Sequence, residues 1–244
     1  AGCKIGDMLY AVLELLVNTP VSAFNIKFRG VPFFVARELE FNFDSRISAM
    51  SYSLVDPTVR YVLTEDGGFY YSLDNGISWE QTINFSGPSP QYFYGASIYS
   101  SPIEVNTVII GGSGYSNPGV YISNDFGETF TPMDLGLPNT LVYKLSGNDT
   151  GTLYFAATEV GPYIYDTTDE LWIDLAGITA PDQTYWSVEY IPELMTARFG
   201  TYGRGIWDFI LDENYNLIPG DVNNDSIINI LDIIIVVNFI LNYL

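Results

Sequence analysis

The chain has 244 residues, enough for one all-β domain with an appendage, and 48% of them are hydrophobic, which is ample for a core. Its 29 acidic residues against 9 basic ones give a net charge of −20, which repels nucleic acid and anionic membrane surfaces and favours cations, calcium among them. With no His present, a His-based triad, an imidazole metal site and a His general base are excluded, and the single Cys3 excludes an internal disulfide.

The chain opens Ala1-Gly2-Cys3-Lys4 without a Met. Ala-Gly-Cys resembles the end of a bacterial lipobox, which implies a lipid on Cys3; the other reading is a fragment or a processed chain. Residues 8–17 are apolar but too few to span a bilayer. Residues 18–45 show strand-like alternation, so the segment 1–45 is either a degenerate blade or the end of a preceding β domain.

From residue 46 to residue 212 one phrase recurs four times: a strand, a glycine, an aromatic strand, a polar turn and an aromatic. The copies run over 61–79, 108–130, 153–172 and 196–211, each preceded by another strand-like stretch, at 47–54, 94–100, 141–145 and 185–190. With Gly68, Gly119, Gly161 and Gly205 as anchors the intervals are 51, 42 and 44 residues. That period, with 16% aromatic residues and 22 Gly, predicts four antiparallel four-stranded blades of an all-β propeller, whole or part of a larger one. Trp79, Phe130, Trp172 and Trp207 are expected to be buried between strands or blades.

Two of the polar turns share a tighter wording. Ser72, Asp74, Gly76 and Trp79 form a full S-x-D-x-G-x-x-W, and Ser123, Asp125, Gly127 and Phe130 form a second copy with Phe for Trp; the third is eroded to Tyr165, Thr167, Asp169 and Trp172. The physics is structural: the Asp accepts hydrogen bonds from its own turn, the Gly supplies a positive φ and the aromatic fills a gap between strands. These residues resemble the Asp-box (BNR) repeats of sialidases, xyloglucan hydrolases and sortilin-type propellers. The segment 200–209 likewise resembles a closing strand in secreted proteins of that superfamily.

In an up-and-down blade successive turns alternate between faces. The Asp-box turns, between third and fourth strands, therefore mark one face, and the loops between second and third strands open on the other. Those loops carry the ligand-binding candidates Glu65, Asp66, Tyr115, Glu159, Tyr202 and Arg204, a set of carboxylates, tyrosines and one guanidinium suited to a sugar. A sialidase needs three arginines on a carboxylate and a Tyr nucleophile beside a Glu. The six arginines here include only Arg204 in such a loop, so that constellation does not transfer, and neither does a paired-Asp hydrolase site.

The segment 219–244 changes character. Asp221, Asn223, Asp225, Ile227, Asn229 and Asp232 fall at positions 1, 3, 5, 7, 9 and 12 of a calcium loop, with Ile227 offering its backbone carbonyl and Asp232 the closing carboxylate. Ser226 stands where an EF-hand has Gly, and Asp232 where it has Glu. The run from Gly220 onward, leading into an apolar helix, resembles the first repeat of a type I dockerin. This implies bound Ca2+ and, as partner, a cohesin-like domain or a second dockerin repeat. A helix apolar all round must be buried against something; two Asn interruptions and the absence of a basic flank argue against a membrane span.

Two functions of different class are consistent with these residues. One is a secreted or cell-surface bacterial module, noncatalytic, whose propeller binds a polysaccharide or glycoprotein and whose tail docks through calcium. The alternative is a glycoside hydrolase of the Asp-box superfamily, sialidase-like or xyloglucan-hydrolase-like, with part of its active site outside this chain.

Overall fold

The structure, a computed structural model, describes residues 41–88, 97–176, 180–211, 220, 222 and 227–242, together with two short strands nearer the N-terminus. Those two, β1 (Lys27–Phe28) and β2 (Val31–Pro32), pair antiparallel in a first unit, Ala1–Glu40. The second unit, Phe41–Leu244, holds the four repeats and the C-terminal helix.

Each repeat folds into an antiparallel meander. The first sheet is β3 (Ile47–Tyr52), β4 (Arg60–Thr64), β5 (Phe69–Ser72) and β6 (Glu80–Gln81); the second is β7 (Ser97–Ser100), β8 (Val108–Gly111), β9 (Val120–Ser123) and β10 (Thr131–Pro132). The third is β11 (Val142–Gly147), β12 (Leu153–Thr158), β13 (Pro162–Asp166) and β14 (Leu171–Asp174). The last is β15 (Tyr185–Ile191), β16 (Thr196–Thr201) and β17 (Ile206–Ile210), three strands among the described residues where the repeat predicts four. Residues 212–219, which follow the third of these strands, lie outside the described residues.

The first strands of successive sheets are tied side by side. Ser100 Oγ donates to Tyr52 O at 2.7 Å, Leu145 N–H donates to Ser97 Oγ at 3.1 Å, and Tyr190 N–H donates to Ser146 Oγ at 3.1 Å. Between the four sheets lie three cores. Tyr61, Leu63 and Phe69 meet Val108, Ile110 and Tyr121; Ile109 and Val120 meet Val142, Tyr154, Ala156 and Trp172; Phe155 and Ala157 meet Tyr185, Val188, Ala197 and Phe199. This explains why the middle strands read as unbroken apolar runs. Val108 and Ile110 point to one core and Ile109 to the next, so no residue of the strand faces water. Burying each such side chain contributes about 1.5–3 kcal/mol.

Among the described residues, one face of the last sheet is exposed. Along β17, Trp207 and Phe209 pack into the third core while Ile206, Asp208 and Ile210 are exposed. Trp172 is the fully buried member of the expected aromatic set, and Trp79, Phe130 and Trp207 are only half-buried. The cause is position: Trp172 sits between the second and third sheets, its indole N–H donating to Met133 O at 2.7 Å, whereas Trp79 lies at the outer side of the first sheet against Phe43, centroids 5.1 Å apart.

Candidate functional site: the two faces of the blades and the C-terminal loop

On one face, the two S-x-D-x-G turns repeat a single hydrogen-bond set. Gly76 N–H donates to Ser72 Oγ at 2.9 Å, Ser72 Oγ donates to Asp74 Oδ1 at 2.8 Å, and Ser78 donates to Asp74 through both its amide, at 2.8 Å, and its hydroxyl, at 2.6 Å. Ser123, Asp125, Gly127 and Thr129 repeat the set at 2.8, 2.7 and 2.9 Å, with Thr129 Oγ1 on Asp125 Oδ2. The backbone permits this because Asn75 and Gly76 lie at φ 66° and 81°, and Phe126 and Gly127 at 64° and 96°. The Ser78 hydroxyl, with the Ser78 amide, pulls the Asp74 carboxyl down to about 2. At Asp125 burial opposes ionisation, and the Thr129 hydroxyl and amide with Ser123 outweigh it, so the net shift is also downward. Both carboxylates are occupied by their own turns. Gly127 further rests on the Phe69 ring of the preceding sheet, where a Cβ would approach to 2.4 Å. In the third copy Asp166, not Asp169, holds the turn, accepting from Thr168 N–H at 2.7 Å, with Glu170 in the left-handed region at φ 54°.

On the opposite face the loops between second and third strands close by a shared device. Thr158 and Thr201 each donate amide and hydroxyl to the carbonyl of Gly161 and Gly205, and Thr64 donates its amide to Gly68 O, all within 2.7–3.0 Å, while Gly112 N–H donates to Gly119 O at 3.0 Å. The four anchor glycines of the sequence period are thus one structural position. The residue after each Thr also repeats its role: Glu65, Glu159 and Tyr202 donate their amides to Arg46 O, Leu141 O and Thr184 O at 2.8, 3.0 and 3.0 Å.

Their side chains diverge. Glu65 pairs with Arg46 at 3.1 Å, an ion pair whose guanidinium is largely solvated. Asp66 accepts from the Thr64 hydroxyl, which is the main cause of its lowered pKa. Tyr115 and Glu159 are half-buried, and Thr184 Oγ1 donates to the Glu159 carbonyl at 3.0 Å. Tyr202 is 73% exposed, and Arg204 is exposed beside it, its carbonyl accepting from the Trp207 indole at 3.1 Å.

Two residues on this face escape a reading of the sequence. The ladder slips by one residue between Val142 and Lys144, between Tyr185 and Ser187, and likewise between Ile47 and Ala49 in the first sheet. Each slip lies two residues beyond the carbonyl that receives the loop amide, and the residues left between are Ser48, Tyr143 and Trp186. A β-bulge takes its extra residue out of the pairing and re-aims the side chain. Here it sets Tyr143 against Trp186, ring centroids 4.2 Å apart, and Trp186 edge-on to Tyr202 at 6.1 Å. Trp186 remains 45% exposed. The signal in the sequence is two adjacent large residues, Val142-Tyr143 and Tyr185-Trp186, breaking alternation at the head of an innermost strand.

In the C-terminal segment Asp221, Asn223 and Asp225 lie outside the described residues. Of the rest, Asp232 is 2% exposed, and its two carboxylate oxygens accept from Val222 N–H and Asn229 N–H, both at 2.8 Å. The twelfth position therefore draws the second and ninth together. Asn229 Oδ1 accepts from Leu231 N–H at 2.7 Å, capping the helix Ile230–Asn242, and its amide donates to Ile227 O at 3.2 Å. The donors are oxygens throughout, carboxylate, amide and carbonyl, a set that suits a hard cation such as calcium. Among the described residues no group of three or more acidic, His or Cys side chains gathers. The helix is exposed along its apolar side chains, Ile230, Leu231, Ile233 to Val237, Ile240 and Leu241 included. Among the described residues no helix is long and apolar enough to cross a membrane.

No protein-family profile matches the chain, and no curated protein sequence matches it. Solved structures do. A glycoside hydrolase family 74 (GH74) enzyme of Niastella koreensis superposes with a TM-score of 0.55 over 66% of this chain at 17% identity, and the GH74 xyloglucanase from Xanthomonas campestris with 0.50 over 67% at 14% identity. The chain spans 27% and 30% of the lengths of those two proteins. At these identities the likeness speaks to fold, and the fold of the repeats is that of β-propeller blades.

Proposed function

We propose that the chain is a noncatalytic β-propeller module that binds glycan on the face opposite its S-x-D-x-G turns, carried with a calcium-dependent dockerin-like tail. One observation carries the reading: two β-bulges gather Tyr143 and Trp186 beside the exposed Tyr202, giving an aromatic surface open to solvent. An aromatic face excludes water from the apolar C–H face of a sugar ring, and it is a poor acid or base. The carboxylates nearest in kind to a catalytic pair have other partners, Glu65 on Arg46 and Asp66 on Thr64. The Asp-box reading of the turns draws support from their shared hydrogen bonds, and the calcium reading from the all-oxygen donor set and the closure of the loop on Asp232. In the tail the exposed apolar helix is the surface that a cohesin-like domain or a second repeat would cover. Export to the cell surface accords with such a role.

A glycoside hydrolase with part of its site outside this chain is the second reading, favoured by the GH74 enzymes it superposes on. Titration calorimetry with xyloglucan oligosaccharides, and then a reducing-end assay of the same mixtures, separates the two. Binding without release of reducing ends, lost in Trp186→Ala, supports the module; hydrolysis by this chain supports the enzyme.

A further inference from the structure

Beside the aromatic surface a cleft of about 510 Å3 runs between β11 and the face of the last sheet that carries the exposed Ser187, Glu189 and Ile206. Its wall on β11 offers Lys144 and Ser146, and its floor on the last sheet offers Ser187, Glu189, Arg198 and Gly200. The register places these in rows. Ser187, Gly200 and Ile206 lie across from one another next to the Trp186 bulge, and Glu189, Arg198 and Asp208 form the next row of that face. Gly200 keeps the first row low, since a Cβ there would stand 2.6 Å from Ser187 Oγ. From Trp186 to Glu189 the strand advances about 10 Å.

The charges along this path cancel. Arg198 grips Asp208 through Nε and Nη2, at 2.7 and 2.6 Å. Lys144 and Glu189 line the same cleft. Two of the nine basic residues thus offset two acids locally, in a chain whose net charge is −20. Hydroxyl, ammonium, guanidinium and carboxylate groups alternate, which suits a ligand that both donates and accepts at every unit and carries no charge of its own. A carboxylated chain would find no local surplus of positive charge and would meet the repulsion of the whole molecule.

We propose that the Tyr143–Trp186–Tyr202 surface and this cleft form one continuous groove for an uncharged oligosaccharide. One ring stacks on Trp186, and the chain continues across the outer face of the last sheet, over Gly200, to Arg198. The inference rests on the glycan-binding reading of the aromatic surface and adds the path and the charge selectivity.

The test titrates the full chain with two probes, cellohexaose, which is uncharged, and hexagalacturonate, which carries a carboxylate on each ring, at low and at high salt. Three variants accompany the wild type: Trp186→Ala; Gly200→Leu, which fills the floor of the cleft without touching the aromatic surface; and Ile83→Ser, an exposed residue distant in sequence from the groove. The expected result is cellohexaose binding with little salt dependence, weakened about tenfold or more by each of the first two changes and unaltered by the third. Each variant's thermal unfolding is recorded, so that a loss of fold is not counted as a loss of site, and Ser187→Leu serves as the alternative filler if Gly200→Leu unfolds. If neither probe binds the wild type, the glycan reading itself fails. If cellohexaose binds and Trp186→Ala abolishes it while both fillers bind normally, the reading stands and the groove is wrong. Equal or tighter binding of hexagalacturonate at low salt overturns the selectivity.

Discussion

Replacing Trp172 probes the stacking of the sheets most severely. Its side chain lies in the core between the second and third sheets, 2% exposed, 5.2 Å from the Tyr165 ring. Truncation to Ala removes a large buried aromatic, about 3–5 kcal/mol, and strips Met133 O of its donor, about 1–3 kcal/mol more. Trp172→Phe keeps most of the volume and loses chiefly that hydrogen bond, so it should cost about 1–3 kcal/mol. Trp79 offers the contrast. It is half-buried at the outer side of the first sheet, and its indole nitrogen has no hydrogen-bond partner among the described residues, so Trp79→Ala should cost about 1.5–2.5 kcal/mol, near half the full burial value. Urea unfolding monitored by near-ultraviolet circular dichroism, compared at unchanged m, gives the ranking Trp172→Ala, then Trp172→Phe, with Trp79→Ala well below Trp172→Ala. Domains of this kind hold about 5–15 kcal/mol in all, so Trp172→Ala alone is enough to unfold a chain at the lower end of that range, and the Phe variant keeps the comparison measurable. A Trp79→Ala cost equal to or above that of Trp172→Ala would refute the assignment of the inter-sheet core.

Asp74 is held down to about 2 from 3.8, so its contribution to stability is present above pH 4 and is lost as pH falls through that window; melting temperature against pH should fall less steeply between 4 and 2 in Asp74→Asn than in the wild type. Gly127→Ala must place a Cβ 2.4 Å from the Phe69 ring at φ 96°, so thermal unfolding should show a loss of about 1–3 kcal/mol, and a smaller loss for Gly203→Ala, where nothing lies within 4 Å and only the φ of 88° opposes the change. Asp232→Ala removes the carboxylate that closes the C-terminal loop and should sharply weaken calcium binding in calorimetry; equal affinity in both proteins would remove calcium from the account. The exposed apolar helix should make the whole chain self-associate in sedimentation with rising concentration, and a chain ending at Pro219 should not.

Much of the fold is legible in the sequence because the blades repeat their chemistry and not only their hydrophobicity. Gly68, Gly119, Gly161 and Gly205 keep their period since each carbonyl closes the same turn, and Ser72 and Ser123 are readable since each organises the same buried amide and carboxylate. Function is less legible. The bulges that expose Tyr143 and Trp186 are a mismatch between two strands, and each strand read alone carries only a trace of it, the adjacent large residues Val142-Tyr143 and Tyr185-Trp186. Glu65 and Asp66 fall at the expected end of the blade, yet their partners Arg46 and Thr64 depend on side-chain geometry that position does not specify. Trp79 is less buried than its motif implies, because the motif gives the aromatic's place in a turn, not whether another sheet lies beyond it.

The central claim is that ligand binds the face of Tyr143, Trp186 and Tyr202. Its most direct measurement is a crystal structure of the chain soaked with a xyloglucan oligosaccharide, where this account predicts sugar density stacked on Trp186 beside Tyr202 and none at the opposite turns. Density confined to the surroundings of Asp74 or Asp125 would contradict it.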